Sequence, residues 1–279
     1  MKFYDPDRIQ VLSYGGGRQT IAIVGLIIEG VLPRPDHIIM ADTGFEKPTT
    51  FEYMERWVRP ALNVMGMDIE IVRASEWSLD TEKDVIYQGS DGNIHSRLPA
   101  FTVKPDGSYG KHMPRCSNKW KVRPMRRYVR SLYGTGRDIQ CDMWLGITTD
   151  EAHRARESDV LWLRSVYPLM NGYLDETDTE GLSWTSADCV SYVENRLGWP
   201  TPPKSSCFIC PHMRNDEWLK LPYKLRRAAI HIEQRMHRKM KNNPLYQSFL
   251  HPDRVPLSQV NFGTDDSCRM NSACETCFQ

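Results

Sequence analysis

The stretch Arg8-Ile9-Gln10-Val11-Leu12-Ser13-Tyr14-Gly15-Gly16-Gly17-Arg18-Gln19-Thr20, followed by Ile21-Ala22-Ile23-Val24-Gly25-Leu26-Ile27-Ile28-Glu29, decides the fold. Arg8 to Ser13 reads as a short buried strand, and Thr20 to Glu29 as an apolar helix. Between them lies a glycine-rich turn. Glycines let backbone N–H groups approach an anion, and the helix N-terminus adds favourable partial charge. Ser13, Gly15, Gly16, Gly17, Gln19 and Thr20 are therefore candidate phosphate-binding residues. The turn lacks the Gly-Lys-Ser/Thr ending of a Walker loop and the Gly-x-Gly-x-x-Gly of a dinucleotide site.

Working outward, His37 to Met40 reads as a second strand, Thr49 to Leu62 as a helix, and Asp68 to Arg73 as a third strand. Alternation of strand and helix predicts a parallel sheet with helices on both faces, an α/β Rossmann-like fold. Met143 to Ile147 is expected as a fourth core strand. Ligands of such sheets bind beyond the carboxyl ends of the strands. Asp42-Thr43-Gly44 follows the second strand, and Gly146-Ile147-Thr148-Thr149-Asp150-Glu151 follows the fourth. Asp42, Thr43, Gly44 and Gly146 thus join the glycine turn as candidate ligand contacts. Asp42, Asp150 and Arg154 are the catalytic candidates. Asp42 suits a ribose hydroxyl or a magnesium ion, and an arginine past a strand end suits charge on a phosphate in the transition state.

The remaining chain is less regular. Residues 77–113 carry loop formers, with a hairpin expected around Ser90-Asp91-Gly92, and could form a lid. Lys119 to Tyr133 reads as a basic helix, and Ser186 to Leu197 as another. Tyr223 to Lys241 reads as an amphipathic helix with Leu225, Ala229, Ile232, Met236 and Met240 on one face. Its basic face reads as solvated surface. The texture changes after Pro168, which places a soft boundary near residue 170: a nucleotide-binding domain over 1–170, then a mainly helical, Cys-containing region over 171–279.

Of 279 residues, 40% are hydrophobic and 25% charged, and the formal net charge is +1. No global charge draws the chain to nucleic acid or membrane, so any basic surface is local. Lys111, Arg115, Lys119, Arg123 and Arg127 belong to one such stretch with almost no acids, suited to phosphates or a nucleic-acid backbone. No apolar run approaches the roughly 20 residues of a membrane span. The opening residues are too polar for a signal peptide, and a cytoplasmic location is expected. The eight cysteines are then not a disulfide framework. Cys207-Phe208-Ile209-Cys210 has ligand spacing, as has Cys274 with Cys277. Cys141 and Cys189 read as core.

Gly15 to Thr20, Asp42 to Thr50 and Gly146 to Arg154 together resemble the phosphoadenosine-phosphosulfate (PAPS) reductase family of the PP-loop ATP pyrophosphatases. That family carries Ser-Gly-Gly-x-Asp-Ser, Asp-Thr-Gly-x-x-x-Pro-Glu-Thr and Gly-Ile-Arg-x-Asp-Glu-x-x-Arg in this order. The likeness continues through Trp184 to Asp188 and Cys207 to Pro211. It implies an adenine-nucleotide alpha hydrolase type of fold binding ATP or PAPS. The triple glycine is similar to phage-encoded members. Gln19 stands for the family Asp, Gly15 for its first Ser and Thr148 for its Arg. The reductases' C-terminal Glu-Cys-Gly-x-His segment is absent.

The glycine turn, the cysteines and the basic stretch favour cleavage of ATP at the α-phosphate, activating an acceptor for sulfur transfer or nucleic-acid modification. Thiol-dependent PAPS reduction with release of sulfite, and nucleotide binding without turnover, are the alternatives. Iron–sulfur members carry cysteines near these positions, which implies a [4Fe–4S] cluster on Cys116, Cys207 and Cys210, with Cys277 or an exogenous ligand as the fourth. A zinc site on Cys207, Cys210, Cys274 and Cys277 is the rival. Adenine nucleotide, nucleic acid or a sulfur-donor protein, and a second copy of the chain, are the expected partners.

Overall fold

The computed structural model describes residues 5–74, 85–112, 115–136, 138–170, 182–241, 243 and 245–263. In chain order the elements are β1 (Ile9–Ser13), α1 (Arg18–Ile28), β2 (His37–Asp42) and α2, which runs from Pro48–Tyr53 through a π-helical turn at Met54–Val58 into Arg59–Val64. Next come β3 (Ile69–Arg73), β4 (Ile86–Gln88), β5 (Ile94–Ser96), β6 (Phe101–Val103) and β7 (Tyr109–Lys111). A second π-helical turn (Asn118–Val122) leads into α3 (Arg123–Tyr133), followed by β8 (Cys141–Trp144), β9 (Leu163–Val166) and α4 (Ser186–Asn195). The chain closes with α5 (Asn215–Lys220), α6 (Tyr223–Lys239) and β10 (Gln247–Phe249). Among the described residues no helix is long and apolar enough to cross a membrane.

The chain forms two compact units. The first comprises Met1–Asp42, Glu46–Arg73 and Pro124–Ser205; the second comprises Thr43–Phe45, Ala74–Arg123 and Ser206–Gln279. Residue 170, where the sequence changes texture, lies inside the first unit.

The first unit is an α/β Rossmann-like layer structure. Its five strands are all parallel, in the order β3-β2-β1-β8-β9. Leu12 and Ile38 face a core shared with Ile21, Ile23 and Ile27 of α1, Met54, Val58 and Leu62 of α2, and Cys189 and Val193 of α4. The opposite face carries α3: Ser13 Oγ lies 3.5 Å from Met125 Sδ, and Tyr128 donates to Glu70 of β3. Both faces are thus covered, as parallel sheets require. Burial pushes the thiols of Cys141 and Cys189 up to about 12, consistent with their place in the core.

Several elements differ from the pattern-based expectation. The fourth core strand is Cys141–Trp144, ending before Gly146 rather than at Ile147. The strand β9 was hidden by its short, half-polar sequence, Leu163-Arg164-Ser165-Val166. The expected helix over 49–62 is present but contains a π-helical turn just ahead of Pro60, and the second π-helical turn stands just ahead of Pro124. A proline inside a helix removes one hydrogen bond and crowds the preceding turn, and a widened turn relieves both effects.

Asp142 of β8 is fully buried and accepts from Arg8 Nε at 2.5 Å, from Gln10 Nε2 at 3.2 Å and from Arg164 at 2.5 and 2.9 Å. One carboxylate thereby ties β1, β8 and β9 together.

The second unit contains a three-stranded antiparallel sheet, β10-β6-β7, and the hairpin β4-β5 around the expected turn. Its core joins Phe45, Trp120, Phe208, Trp218, Ile232 and Met236.

Removing the carboxylate in Asp142→Ala leaves Arg8 and Arg164 without their counter-charge beside a buried strand. We expect a stability loss of about 3 kcal/mol, the low end for a buried pair because Arg164 reaches water. Chemical denaturation measures it, and a loss under about 1 kcal/mol would show that the two arginines find other partners.

Candidate functional site

The strand order of the first unit reverses direction at β1. Its neighbours on the two sides are β2 and β8, so the carboxyl ends of β1 and β8 flank the crevice where open α/β sheets take ligands. The glycine turn leaves β1 there, and the Gly146 segment leaves β8 there.

Space is tight at three glycines. Gly16 has φ +67°, and a Cβ on it would lie 2.3 Å from Thr50 Cγ2. A Cβ on Gly17 would lie 2.8 Å from Ser205 Oγ, and one on Gly146 would lie 2.8 Å from Thr20 Cγ2. The turn is therefore pinned to the start of α2, to Ser205, and through α1 to the exit of β8. Gly17 is the N-cap residue of α1 and no side chain caps that end. The first N–H groups of an apolar 11-residue helix thus remain available for an anion.

Buried polar atoms mark the same edge. Thr50 and Thr148 are fully buried, and neither hydroxyl has a hydrogen-bond partner among the described residues. The Tyr14 hydroxyl is likewise buried and unpartnered, and burial raises its pKa. Buried polar atoms are nearly always satisfied, so an unpaired set around one loop calls for a bound polar group or water.

The expected site residues divide into groups. Gln19 and Arg154 are brought together by Glu151, which sequence reasoning passed over: Gln19 Nε2 donates to one Glu151 oxygen at 3.2 Å, and Arg154 pairs with the other at 2.7 Å. Asp42 ends β2 beside Arg73, 4.0 Å from its Nε. Thr20, expected to donate outward, instead donates to Gly17 O at 3.1 Å. The Ser13 side chain turns to Met125 on the α3 face. Asp150 accepts the Ser186 N–H at 3.1 Å and so fixes the start of α4. Ser205 was also missed. Its approach to Gly17 depends on the path of the proline-rich link Pro200-Thr201-Pro202-Pro203, which no local pattern specifies.

Thr43 and Gly44 belong to the second unit. There Thr43 Oγ1 lies 3.5 Å from Cys207 Sγ and accepts the Phe45 N–H at 3.2 Å. Cys116, Cys207 and Cys210 all pack against the core of that unit, and burial raises the Cys116 thiol. Among the described residues no three His, Cys, Asp or Glu side chains form a group that could hold a metal ion. Cys274 and Cys277 lie outside the described residues.

No family model matches the chain, and no curated protein matches it. Among solved structures it is similar to the crystal structure of a phosphoadenylyl-sulfate (PAPS) reductase from Candida auris, in a phosphate complex. The two are 13% identical over 70% of this chain and 75% of that one, with a TM-score of 0.40.

Gly16→Ala meets both a positive φ and the Thr50 methyl, whereas Gly30→Ala meets a φ of +73° with nothing within 4 Å. We expect Gly30→Ala to cost about 1 kcal/mol and Gly16→Ala about 2–3 kcal/mol. Equal losses in denaturant titrations would show that Thr50 yields freely.

Proposed function

We propose that the first unit binds an adenine nucleotide at this sheet edge and cleaves it at the α-phosphate, activating an acceptor for sulfur transfer or nucleic-acid modification. The observation that carries the reading is the uncapped start of α1, held at the reversal of strand order, with Tyr14 and Thr50, whose buried hydroxyls have no partner among the described residues, beside Gly16.

In this reading the N–H groups of Gly15, Gly16 and Gly17 hold the terminal phosphates of ATP, and Ser205 Oγ, beside Gly17, adds a further donor. Asp42 holds a ribose hydroxyl or a magnesium ion. An acceptor oxygen attacks the α-phosphorus. The new P–O bond forms as the bond to the bridging oxygen breaks, and that oxygen leaves with pyrophosphate. Arg154 stabilises the charge that develops, with Glu151 holding its guanidinium in place. Asp150, engaged with the start of α4, is a positioning residue. The adenylated acceptor is then open to a sulfur donor, whose attack releases AMP.

The alternative is reduction of PAPS by a thiol, in which the sulfuryl group passes to a thiolate and is released as sulfite by a second thiol. The motif resemblance supports it.

Calorimetry with ATP and with PAPS tests binding. Incubation with ATP, and separately with PAPS and reduced thioredoxin, tests turnover. We expect ATP to bind and pyrophosphate to appear. Sulfite release would shift the assignment to the alternative, and binding of neither nucleotide would end both. Gly16→Val should abolish nucleotide binding in a chain that still folds; retained binding would place the phosphates elsewhere.

A further inference from the structure

The helix α6 of the second unit presents two unlike faces. Ala229, Ile232 and Met236 are buried in the core with Trp218, Leu250 and Leu257. The only acid in the helix, Glu233, is buried with them, and its carboxylate accepts the N–H groups of Leu250 at 2.9 Å and Leu257 at 2.5 Å. The solvent face is left with no negative charge. Lys224, Arg227, His231, Gln234 and Arg238 are exposed there, spaced alternately by three and four residues, and Lys241 is exposed just past the helix end. The helical part of this stripe is about 21 Å long at 1.5 Å per residue.

This face works against the helix that carries it. The first turn of α6 holds no acid but has Lys224, Arg226 and Arg227, cations where the macrodipole is already positive. Among the described residues, the cations of the stripe have no carboxylate partner. The nearby acid Asp216 is taken by Arg214 and Lys220. Arg227 lies 5.6 Å from the ring centroid of Tyr223, which is 65% exposed. A face selected for helix stability alone would interleave acids with these bases.

We propose that the exposed face of α6 binds the sugar–phosphate backbone of a nucleic acid. Two pairs of cations without carboxylate partners among the described residues, Lys224 with Arg227 and Arg238 with Lys241, stand about 16 Å apart along the face, a separation that lets each pair meet its own phosphates, and each contact releases condensed counterions. Tyr223 with Arg227 adds a surface on which a base can stack. An anionic membrane is a poorer match, because the apolar face that would enter a bilayer is consumed by the core. The inference goes beyond the nucleotide reading and does not rest on it, since it concerns the second unit alone.

Anisotropy titrations of the full chain with a labelled RNA hairpin and a labelled DNA duplex of about 24 base pairs, between about 50 and 200 mM salt, test it. We expect binding of at least one probe, weakening steeply with salt. Arg227→Gln with Arg238→Gln should weaken it about tenfold and reduce the slope of log K against log salt by about two. Arg227→Lys with Arg238→Lys should stay within about twofold of the parent. All are exposed positions, and an unchanged melting temperature checks the fold. Calorimetry with ATP on the same variants reports the first unit separately, so failure of either reading is distinguishable. No binding of either probe at the lowest salt, an unchanged slope in the Gln variant, or tighter binding to vesicles one-third phosphatidylserine would overturn the proposal.

Discussion

The space around the glycine turn constrains everything else in the first unit. Gly16 touches the start of α2, Gly17 touches Ser205, and Gly146 touches Thr20 of α1, each at a distance that leaves no room for a Cβ. These contacts fix where α1 begins relative to the exits of β1 and β8. A parallel sheet with reversed strand order provides a crevice in any case. Here the glycines keep Cβ atoms out of the contacts with Thr50, Ser205 and Thr20.

That arrangement explains a mixed polar inventory. Side chains that a motif would assign to a ligand are partly engaged with the protein: Thr20 with Gly17, Asp150 with the start of α4, Ser13 with Met125. Among the described residues of the first unit, the buried hydroxyls left without partners belong to Tyr14, Thr50 and Thr148. Backbone N–H groups do not depend on residue identity, so the proposed anion contact does not hinge on the side chains at positions 15 and 19.

The sequence was legible where local signals coincide. A strand, three glycines and an apolar helix specify β1, the turn and α1, and Asp42-Thr43-Gly44 marks the end of β2. It was less legible where the deciding contact lies far along the chain. Glu151 gains its meaning from Gln19, 132 positions away. Ser205 gains its meaning from Gly17. The strand β9 is set by pairing with β8 and by the Asp142 carboxylate, and Arg164 breaks the apolar pattern that would have revealed it. The basic face of α6 read as ordinary solvated surface until the burial of Glu233 left it without a compensating acid.

The pairing of β1 has a consequence for how the chain reaches this state. One edge of β1 meets β2, whose residues follow within some thirty positions, whereas the other meets β8, with Ile9 opposite Cys141. During synthesis the nascent chain can zip β1, β2 and β3 together while the far edge of β1 stays bare until residue 144 has emerged. Non-local pairing of this kind is slow, and a bare apolar strand edge is a template for intermolecular association. The buried Asp142, carried by the late-arriving strand, is the carboxylate that Arg8 and Gln10 bond. A foreign strand on that edge would have to satisfy Arg8 and Gln10 without it.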